Sequence, residues 1–157
     1  MLDNCVTAKE FWGGVDKLIE GWLAERQEVI VRFCAISGLR VQASGAPTAV
    51  QRLKRFCQVL VDYTSAGHFE VYVQLLREAE DVREEDRERA HRLYARIAET
   101  TEVILDFNDI YDTDEHCEQA IGRLSQELNK LGEVLVERFE LEDQLIACTH
   151  YAHQEKV

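Results

Sequence analysis

Turn-forming residues are scarce in this sequence, which has one proline and eight glycines in 157 residues. A sandwich or barrel of many short strands needs more of them, because each strand ends in a turn. No apolar run approaches the roughly 18 residues of a membrane-spanning helix. The first five residues, MLDNC, have neither the basic nor the apolar region of a secretory signal. We therefore expect a cytoplasmic protein that does not enter a membrane.

Cysteine pairs with metal-binding or redox spacing are also lacking. The five cysteines are Cys5, Cys34, Cys57, Cys117 and Cys148, and no two of them form a C-x-x-C pair. This spacing excludes zinc ribbons and thioredoxin-like sites. Because Cys57, Cys117 and Cys148 fall in apolar stretches with helical periodicity, we expect them to behave as small buried hydrophobic residues.

Basic residues are scarce in the C-terminal part of the chain. Residues 1–98 carry 15 acidic and 14 basic side chains, whereas residues 99–157 carry 15 acidic and four basic ones, and the net charge is −12. An acidic surface repels phosphate backbones, so we predict no direct binding to DNA or RNA. The same surface attracts a basic protein. The alternative is that the acidity serves only solubility.

Apolar residues recur every three or four positions along most of the chain, which predicts amphipathic helices. The first stripe, from Phe11 to Phe33, predicts a helix of about 30 residues that stops near Gly38. The remaining stripes cover residues 50–61, 69–79, 90–111 and 117–146. The last of them predicts a helix of about 35 residues. The predicted fold class is all-α, an antiparallel up-and-down bundle of long helices in a single domain spanning residues 1–157.

Polar residues and glycine mark where these helices should begin and end. Thr48 and Gln51 have the spacing of a capping box at the start of the second helix. Gly67 is expected to interrupt the chain at a sharp junction between the second and third helices. The charged segment 77–89 predicts a solvated helix or helical linker. Residues 112–114, Asp-Thr-Asp, predict a turn that caps the last helix.

Metal and phosphotransfer sites lack the residues that they need. A di-iron bundle requires two Glu-x-x-His motifs, and only Glu88 and His91 have this spacing. His91 also lacks the lysine three residues later that is found in histidine phosphotransfer families. Cys148, His150 and His153 lie near the end of the chain, where we expect a disordered terminus instead of a metal site. We predict neither a metal nor a cofactor.

The segment 62–70 concentrates polar and aromatic side chains at the predicted helix junction. Asp62 and His68 can meet across the Gly67 corner, as a base with its orienting group or as part of a binding site. A polar network that fixes the angle between the two helices is the alternative. Structural, binding and catalytic roles therefore stay open. Phe69 lies on the apolar stripe of the third helix and is expected to pack inward.

Two segments carry long motifs, FCQVLVDYTSAGHFEVY at residues 56–72 and ERFELEDQL at residues 137–145. They closely resemble the two signatures of the Rsd/AlgQ family of anti-sigma factors. The N-terminal WGGVDKLI at residues 12–19 is similar to the pseudomonad AlgQ branch of this family. The sequence departs from the family pattern in the loop at 43–47 and near residue 83, outside both signatures.

The resemblance implies an all-helical bundle that binds the primary sigma factor of RNA polymerase and is not an enzyme. Family members bind the C-terminal helix-turn-helix region of sigma, which reads the −35 promoter element, and keep it from core polymerase and promoter. By the same resemblance, a phosphotransferase-system carrier protein is a further expected partner, and regulation of alginate and siderophore genes belongs to the pseudomonad branch. The alternative function is a small-molecule-binding or enzymatic bundle that uses Asp62 and His68.

We expect contacts with the partner from polar residues of the two signatures. These residues are Asp62, Ser65, His68, Glu70, Glu142 and Asp143. Because the DNA-reading surface of sigma is basic, the acidic C-terminal part of this chain complements it.

Overall fold

The computed structural model describes residues 8–37 and 46–152. Of these residues, 97% are helical, and no strand occurs among them. None of the described helices contains an apolar stretch of the length that a bilayer span requires. The all-α fold class predicted from the sequence periodicity is therefore confirmed.

Six α-helices follow one another along the described part of the chain. They are α1 (Ala8–Ser37), α2 (Ala46–Ala66), α3 (Tyr72–Glu78), α4 (Glu84–Tyr111), α5 (Asp114–Ala120) and α6 (Leu124–Ile146). Short helical turns extend them: a first π turn at Gly67–Val71, a C-terminal π turn at Ala147–Tyr151, and 3-10 turns at Ala79–Asp81 and Ile121–Arg123. The result is four long helical segments, 8–37, 46–81, 84–111 and 114–152.

Neighbouring helical segments run antiparallel. Trp22 of α1 stacks on Tyr63 of α2, and Phe33 further along α1 meets Phe56 earlier in α2. The same reversed order of contacts holds between segments 46–81 and 84–111 and between α4 and α6. The segments therefore form the antiparallel up-and-down bundle that the sequence predicts.

The predicted apolar stripes form one connected core. Leu124 and Leu131 of α6 are buried in it. The three cysteines that the sequence places in the core, Cys57, Cys117 and Cys148, are buried as well. Leu105, which the stripe of α4 includes, is instead exposed. An α-helix turns about 100° per residue, so the neighbouring Ile104 faces the core and Leu105 faces solvent.

The chain does not break at Gly67, so the predicted sharp junction is wrong. Helix α2 continues through the first π turn into α3, and no glycine among the described residues has a positive φ. Gly67 is required by space: a Cβ there would lie 3.1 Å from the Tyr72 hydroxyl oxygen and 3.3 Å from Trp22 Nε1. The glycine therefore allows a close approach between helices.

The start of α2 differs from the prediction, and the cap of α5 agrees with it. Helix α2 begins at Ala46, so Thr48 lies within its first turn and not at the cap position. The backbone N–H of His116 donates to the Thr113 hydroxyl at 3.0 Å, which caps α5 as predicted. The predicted helix end at Gly38 lies outside the described residues.

Two predicted helical stretches are less regular than expected. The charged segment 77–89 contains the turn between α3 and α4, because Val82 is extended and buries its side chain there. The last segment is divided by the 3-10 turn at Ile121–Arg123, so α5 and α6 are not one regular helix. In both places tertiary packing overrides the local charge or apolar pattern.

The C-terminal π turn is packed into the bundle, so the predicted disorder of the terminus is wrong as far as residue 152. His150 is buried, with its Nδ1 2.8 Å from Glu78 Oε2 and its Nε2 2.5 Å from Asp16 Oδ1. These carboxylates lie 72 and 134 residues away in sequence, which explains why local reasoning misses them. His153 lies outside the described residues. No group of three or more metal-ligating side chains arranged around an ion occurs in the described part.

Candidate functional site

The first π turn lies in the middle of the first signature and places Phe69 on the surface. A π turn holds one residue more than an α-helical turn, so the consecutive residues Val71 and Tyr72 both face the core. Phe69 then points outward and is 72% exposed. Its predicted inward packing is wrong, because that prediction assumes a regular helix from His68 onward.

Polar residues of the first signature flank Phe69. Asp62, Ser65, His68 and Glu70 are all exposed, and with Phe69 they define what we call the Phe69 surface. The His68 ring packs edge-on against Phe69, with the ring centroids 4.7 Å apart. Asp62 and His68 form no hydrogen bond with each other, so the base and orienting group of the catalytic alternative are not assembled.

Negative charge concentrates beside the Phe69 surface. Burial raises the pKa of Glu25 of α1 above its ordinary value, and the nearby charges of Asp62 and Glu70 raise it further. Like charges held together in this way are stabilised by an approaching cation. The surface thus combines an exposed aromatic ring with a cluster of carboxylates from two helices.

Glu142 of the second signature lies in the core, facing the inner side of the helical segment 46–81 that carries Phe69. Glu142 is 0% exposed. The Tyr63 hydroxyl donates to its carboxylate oxygens at 2.5 and 2.6 Å, and the Tyr72 hydroxyl donates to Oε2. The bundle encloses the carboxylate, so Glu142, which the sequence analysis expects to contact the partner, is not accessible at the surface. The two signatures meet at this group.

Arg138 supplies the counter-charge to Glu142 from one helical turn away. Its Nε lies 3.3 Å from Glu142 Oε2, and both side chains are fully buried. The guanidinium also donates to both tyrosine hydroxyls, at 3.1 and 2.8 Å, and to the hydroxyls of Thr100 and Thr101 of α4, at 3.0 and 2.8 Å. A buried ion pair is tolerated when its remaining donors and acceptors are satisfied in this way. We call Tyr63, Tyr72, Arg138 and Glu142 the buried cluster.

Burial and the charge of Arg138 act in opposite directions on the pKa values of the buried cluster. Burial raises the pKa of Glu142, whereas the Arg138 charge and the tyrosine hydroxyls act to lower it. Burial also raises the pKa of Tyr63 well above 10.0, and the Glu142 charge adds to that rise. The tyrosines therefore stay protonated and donate to the carboxylate, so the cluster serves to hold helices together.

Arg26 of α1 connects the buried cluster to solvent. Its Nη1 lies 3.4 Å from Glu142 Oε1 and 2.9 Å from Asp143 Oδ1. The guanidinium also lies over the Phe139 ring, 5.2 Å from its centroid. The Asp143 side chain is 61% exposed, so this predicted contact residue is accessible to a partner while Arg26 holds it in place.

Trp22 of α1 completes the packing on the inner side of the first π turn. Its ring stacks on Tyr63 and meets Tyr72 edge-on, with both centroid distances 5.8 Å. The indole Nε1 has no hydrogen-bond partner among the described residues and lies against Gly67. Helix α1 and the first π turn thus fix each other in position.

Sequence reasoning misses Arg138 and the two tyrosines as members of the site. One signal is available, because Arg138 and Glu142 are four residues apart and lie on the apolar stripe of α6. Oppositely charged residues at this spacing within a buried face predict a buried ion pair. No local signal identifies Tyr63, whose hydrogen bond to Glu142 spans 79 residues.

The chain is similar to proteins of one family. A family model described as "Regulator of RNA polymerase sigma(70) subunit, Rsd/AlgQ" matches residues 1–150. A protein named "Regulator of sigma D" from Yersinia enterocolitica is 33% identical over 147 residues, covering 93% of this chain and 88% of that protein. A protein of the same name from Enterobacter sp. (strain 638) is 35% identical over 153 residues, covering 94% of this chain and 88% of that protein. The residues matched by the family model include the Phe69 surface and the buried cluster.

Proposed function

The chain belongs to the Rsd/AlgQ family of regulators of the RNA polymerase sigma(70) subunit, and we propose that it binds the C-terminal helix-turn-helix region of the primary sigma factor. By occupying that region it keeps sigma from core polymerase and from the promoter. It acts as a single domain in the cytoplasm, through binding and not through catalysis.

The observation that carries this proposal is the exposed ring of Phe69. Aromatic anchors that enter a pocket of the partner supply a large share of the binding energy in protein interfaces. Phe69 lies in the same helical segment as Tyr72, whose hydroxyl is bonded to the core at Glu142. The ring is therefore held outward before the partner arrives, which reduces the entropy lost on binding.

The charges around Phe69 fit a basic partner. A helix-turn-helix that reads DNA carries cationic side chains that face phosphates. Glu25, Asp62 and Glu70 place negative charge beside the aromatic ring. An aromatic anchor next to carboxylates matches a helical surface on which an apolar patch lies between basic side chains.

The direct test is complex formation between the purified chain and the purified primary sigma factor. Full-length sigma and a form without the C-terminal region are each mixed with the chain and separated by size-exclusion chromatography. We expect a complex with full-length sigma only. A complex with the truncated form would place the contact elsewhere on sigma, and the absence of both complexes would contradict the proposal.

Competition distinguishes sequestration from simple association. Core polymerase added to the preformed complex should compete with the chain for sigma, because both would need the same region. The phosphotransferase carrier protein is a second candidate ligand of the chain. It is added to the same complex in place of core polymerase. A ternary complex of chain, sigma and core polymerase would contradict sequestration.

A further inference from the structure

Two thiols from different helices converge on one backbone oxygen. The Cys57 thiol of α2 donates to the Tyr111 carbonyl oxygen at 3.6 Å, and the Cys117 thiol of α5 donates to the same oxygen at 3.2 Å. Tyr111 is the last residue of α4, so three helices meet at this point. We propose that Cys57 and Cys117 form an oxidisable dithiol that a small-molecule disulfide converts into an intramolecular disulfide.

The other described cysteines lack this arrangement. Cys34 is exposed on α1, and Cys148 donates to the carbonyl oxygen of Leu145 in its own helical segment. Neither thiol shares an acceptor with a second cysteine in the described part of the chain. The pairing of Cys57 with Cys117 is therefore specific to the junction of α2, α4 and α5.

A cleft in the surface reaches one of the two cysteines, although Cys57 is itself only 3% exposed. Cys57 lines a cleft of about 550 Å³ whose walls also include Lys54, Arg55 and Asp62. Cys117 is fully buried and does not line the cleft. Cys57 is thus the entry thiol and Cys117 the resolving thiol. The charged side chains of the wall balance, since Lys54 and Arg55 stand against Asp62 and Asp112, and Lys54 is also paired with Asp114 at 2.8 Å. The probe for this cleft is the small disulfide glutathione disulfide.

Both thiols are protonated at neutral pH. Burial, together with the neighbouring Cys117, raises the pKa of Cys57 to about 12. Burial also raises the pKa of Cys117 to about 11. Because the thiolate is the attacking form, oxidation is slow at neutral pH, and its rate rises about tenfold per pH unit below these values.

The reaction proceeds in two exchange steps. Cys57 loses its proton to solvent, and its thiolate attacks one sulfur of glutathione disulfide, which forms a mixed disulfide and expels a glutathione thiolate that takes up a proton. Cys117 then loses its proton and attacks the Cys57 sulfur, which forms the Cys57–Cys117 bond and expels the second glutathione. The protein loses two electrons and two protons, and one glutathione disulfide becomes two glutathiones.

The disulfide would join α2 to α5, the helix that Thr113 caps. A covalent link between segments distant in sequence restricts the unfolded chain, so the oxidised protein should melt at a higher temperature. Asp62 lies in the wall of the same cleft. Because Asp62 belongs to the Phe69 surface, we expect oxidation to change sigma affinity if the proposed function holds. The cross-link and the melting shift do not depend on that function.

The test is oxidation of the folded protein, followed by peptide mapping. The background carries Cys5→Ser and Cys34→Ser, so that the pair and the buried Cys148 are the thiols that remain. We expect glutathione disulfide to give a Cys57–Cys117 cross-link that is lighter by two hydrogens, at a rate that rises about tenfold per unit between pH 7 and 9. Circular dichroism during the reaction shows that the chain stays folded. No cross-link, or one that involves Cys148, would overturn the proposal.

Two further measurements keep the test independent of any folding defect. In Cys117→Ser the mixed disulfide with glutathione should persist on Cys57, because the resolving thiol is absent. In the unmutated pair, phenylarsine oxide should protect both cysteines from alkylation together, since one arsenic binds two adjacent thiols. Protection of one cysteine without the other would show that the thiols do not act as a pair.

Discussion

The Tyr72 hydroxyl donates a hydrogen bond to the buried Glu142 carboxylate from 70 residues away in the sequence. Tyr72 directly follows the first π turn, and Glu142 lies in the C-terminal half of α6. The inner side of the turn is thereby attached to the core, while Phe69 on the same turn stays in solvent. The stability of the buried cluster and the position of Phe69 are therefore linked.

Removal of the Glu142 carboxylate leaves Arg138 buried without its counter-charge. Loss of one partner from a buried ion pair costs about 3–5 kcal/mol, so we expect Glu142→Ala to lower the free energy of unfolding by that amount. Asp143→Ala is the control, since its exposed carboxylate should contribute less than about 1 kcal/mol. Urea denaturation measures both variants. Equal small losses would show that the cluster does not hold the bundle together.

The space around a glycine decides whether alanine at that position stabilises or destabilises the protein. A Cβ at Gly21 of α1 meets no atom within 4 Å, and alanine at such a helical site stabilises by about 0.5–1 kcal/mol. A Cβ at Gly67 would lie 3.1 Å from the Tyr72 hydroxyl, which Glu142 prevents from moving. We expect Gly21→Ala to raise the melting temperature and Gly67→Ala to lower it. A higher melting temperature for both would remove the argument for close approach.

Glu25 is predicted to favour binding while opposing stability. Its pKa is raised in the folded protein, so the folded state binds the proton more tightly and stability falls as the pH rises past 4.5. Glu25→Gln should therefore be more stable than the parent at pH 7, by less than about 1 kcal/mol, with a smaller difference below pH 4.5. The same variant should bind sigma more weakly.

The control for the Glu25 variant is Glu20→Gln, because Glu20 is also an exposed glutamate of α1. Denaturation at pH 4 and pH 7 and titration with sigma give the two readouts. A Glu25→Gln variant that binds sigma as tightly as the parent would exclude the carboxylates beside the Phe69 surface from the interface.

Acidic residues should accelerate association with sigma through long-range electrostatic attraction. Attraction between opposite charges mainly raises the association rate and is screened by salt. We expect the rate measured by stopped flow to fall about tenfold or more between about 0.05 and 0.5 M NaCl, with a smaller change in dissociation. Charge reversal among the exposed acids of residues 99–143 should slow association in the same way. A salt-independent rate would leave the acidity with a role in solubility only.

The helices and most of the core were predictable because helical periodicity is a local property of the chain. Leu124 and Leu131 lie on a stripe that is readable within one helix, and both are buried. The cap at Thr113 is local as well. The family signatures also located the Phe69 surface, although without the correct orientation of Phe69.

The first π turn and the C-terminal π turn were not predictable, because both depend on contacts distant in sequence. The extra residue in the first turn is compatible with Tyr72 reaching Glu142, and nothing within residues 62–72 reveals that partner. His150 likewise finds its carboxylates on α1 and α3. Asp62, expected to join a structural network, is exposed, so Asp62→Ala should leave the fold intact.

The central claim is that Phe69 is the anchor for sigma, and the affinity of Phe69→Ala tests it most directly. Val31→Ala is the matched control, because Val31 is an apolar residue that is 52% exposed on α1, outside the Phe69 surface. We expect Phe69→Ala to weaken binding of the sigma C-terminal region by about 30-fold or more, equivalent to about 2 kcal/mol, with an unchanged melting temperature. Val31→Ala should change neither quantity. Normal affinity in a folded Phe69→Ala variant would contradict the account.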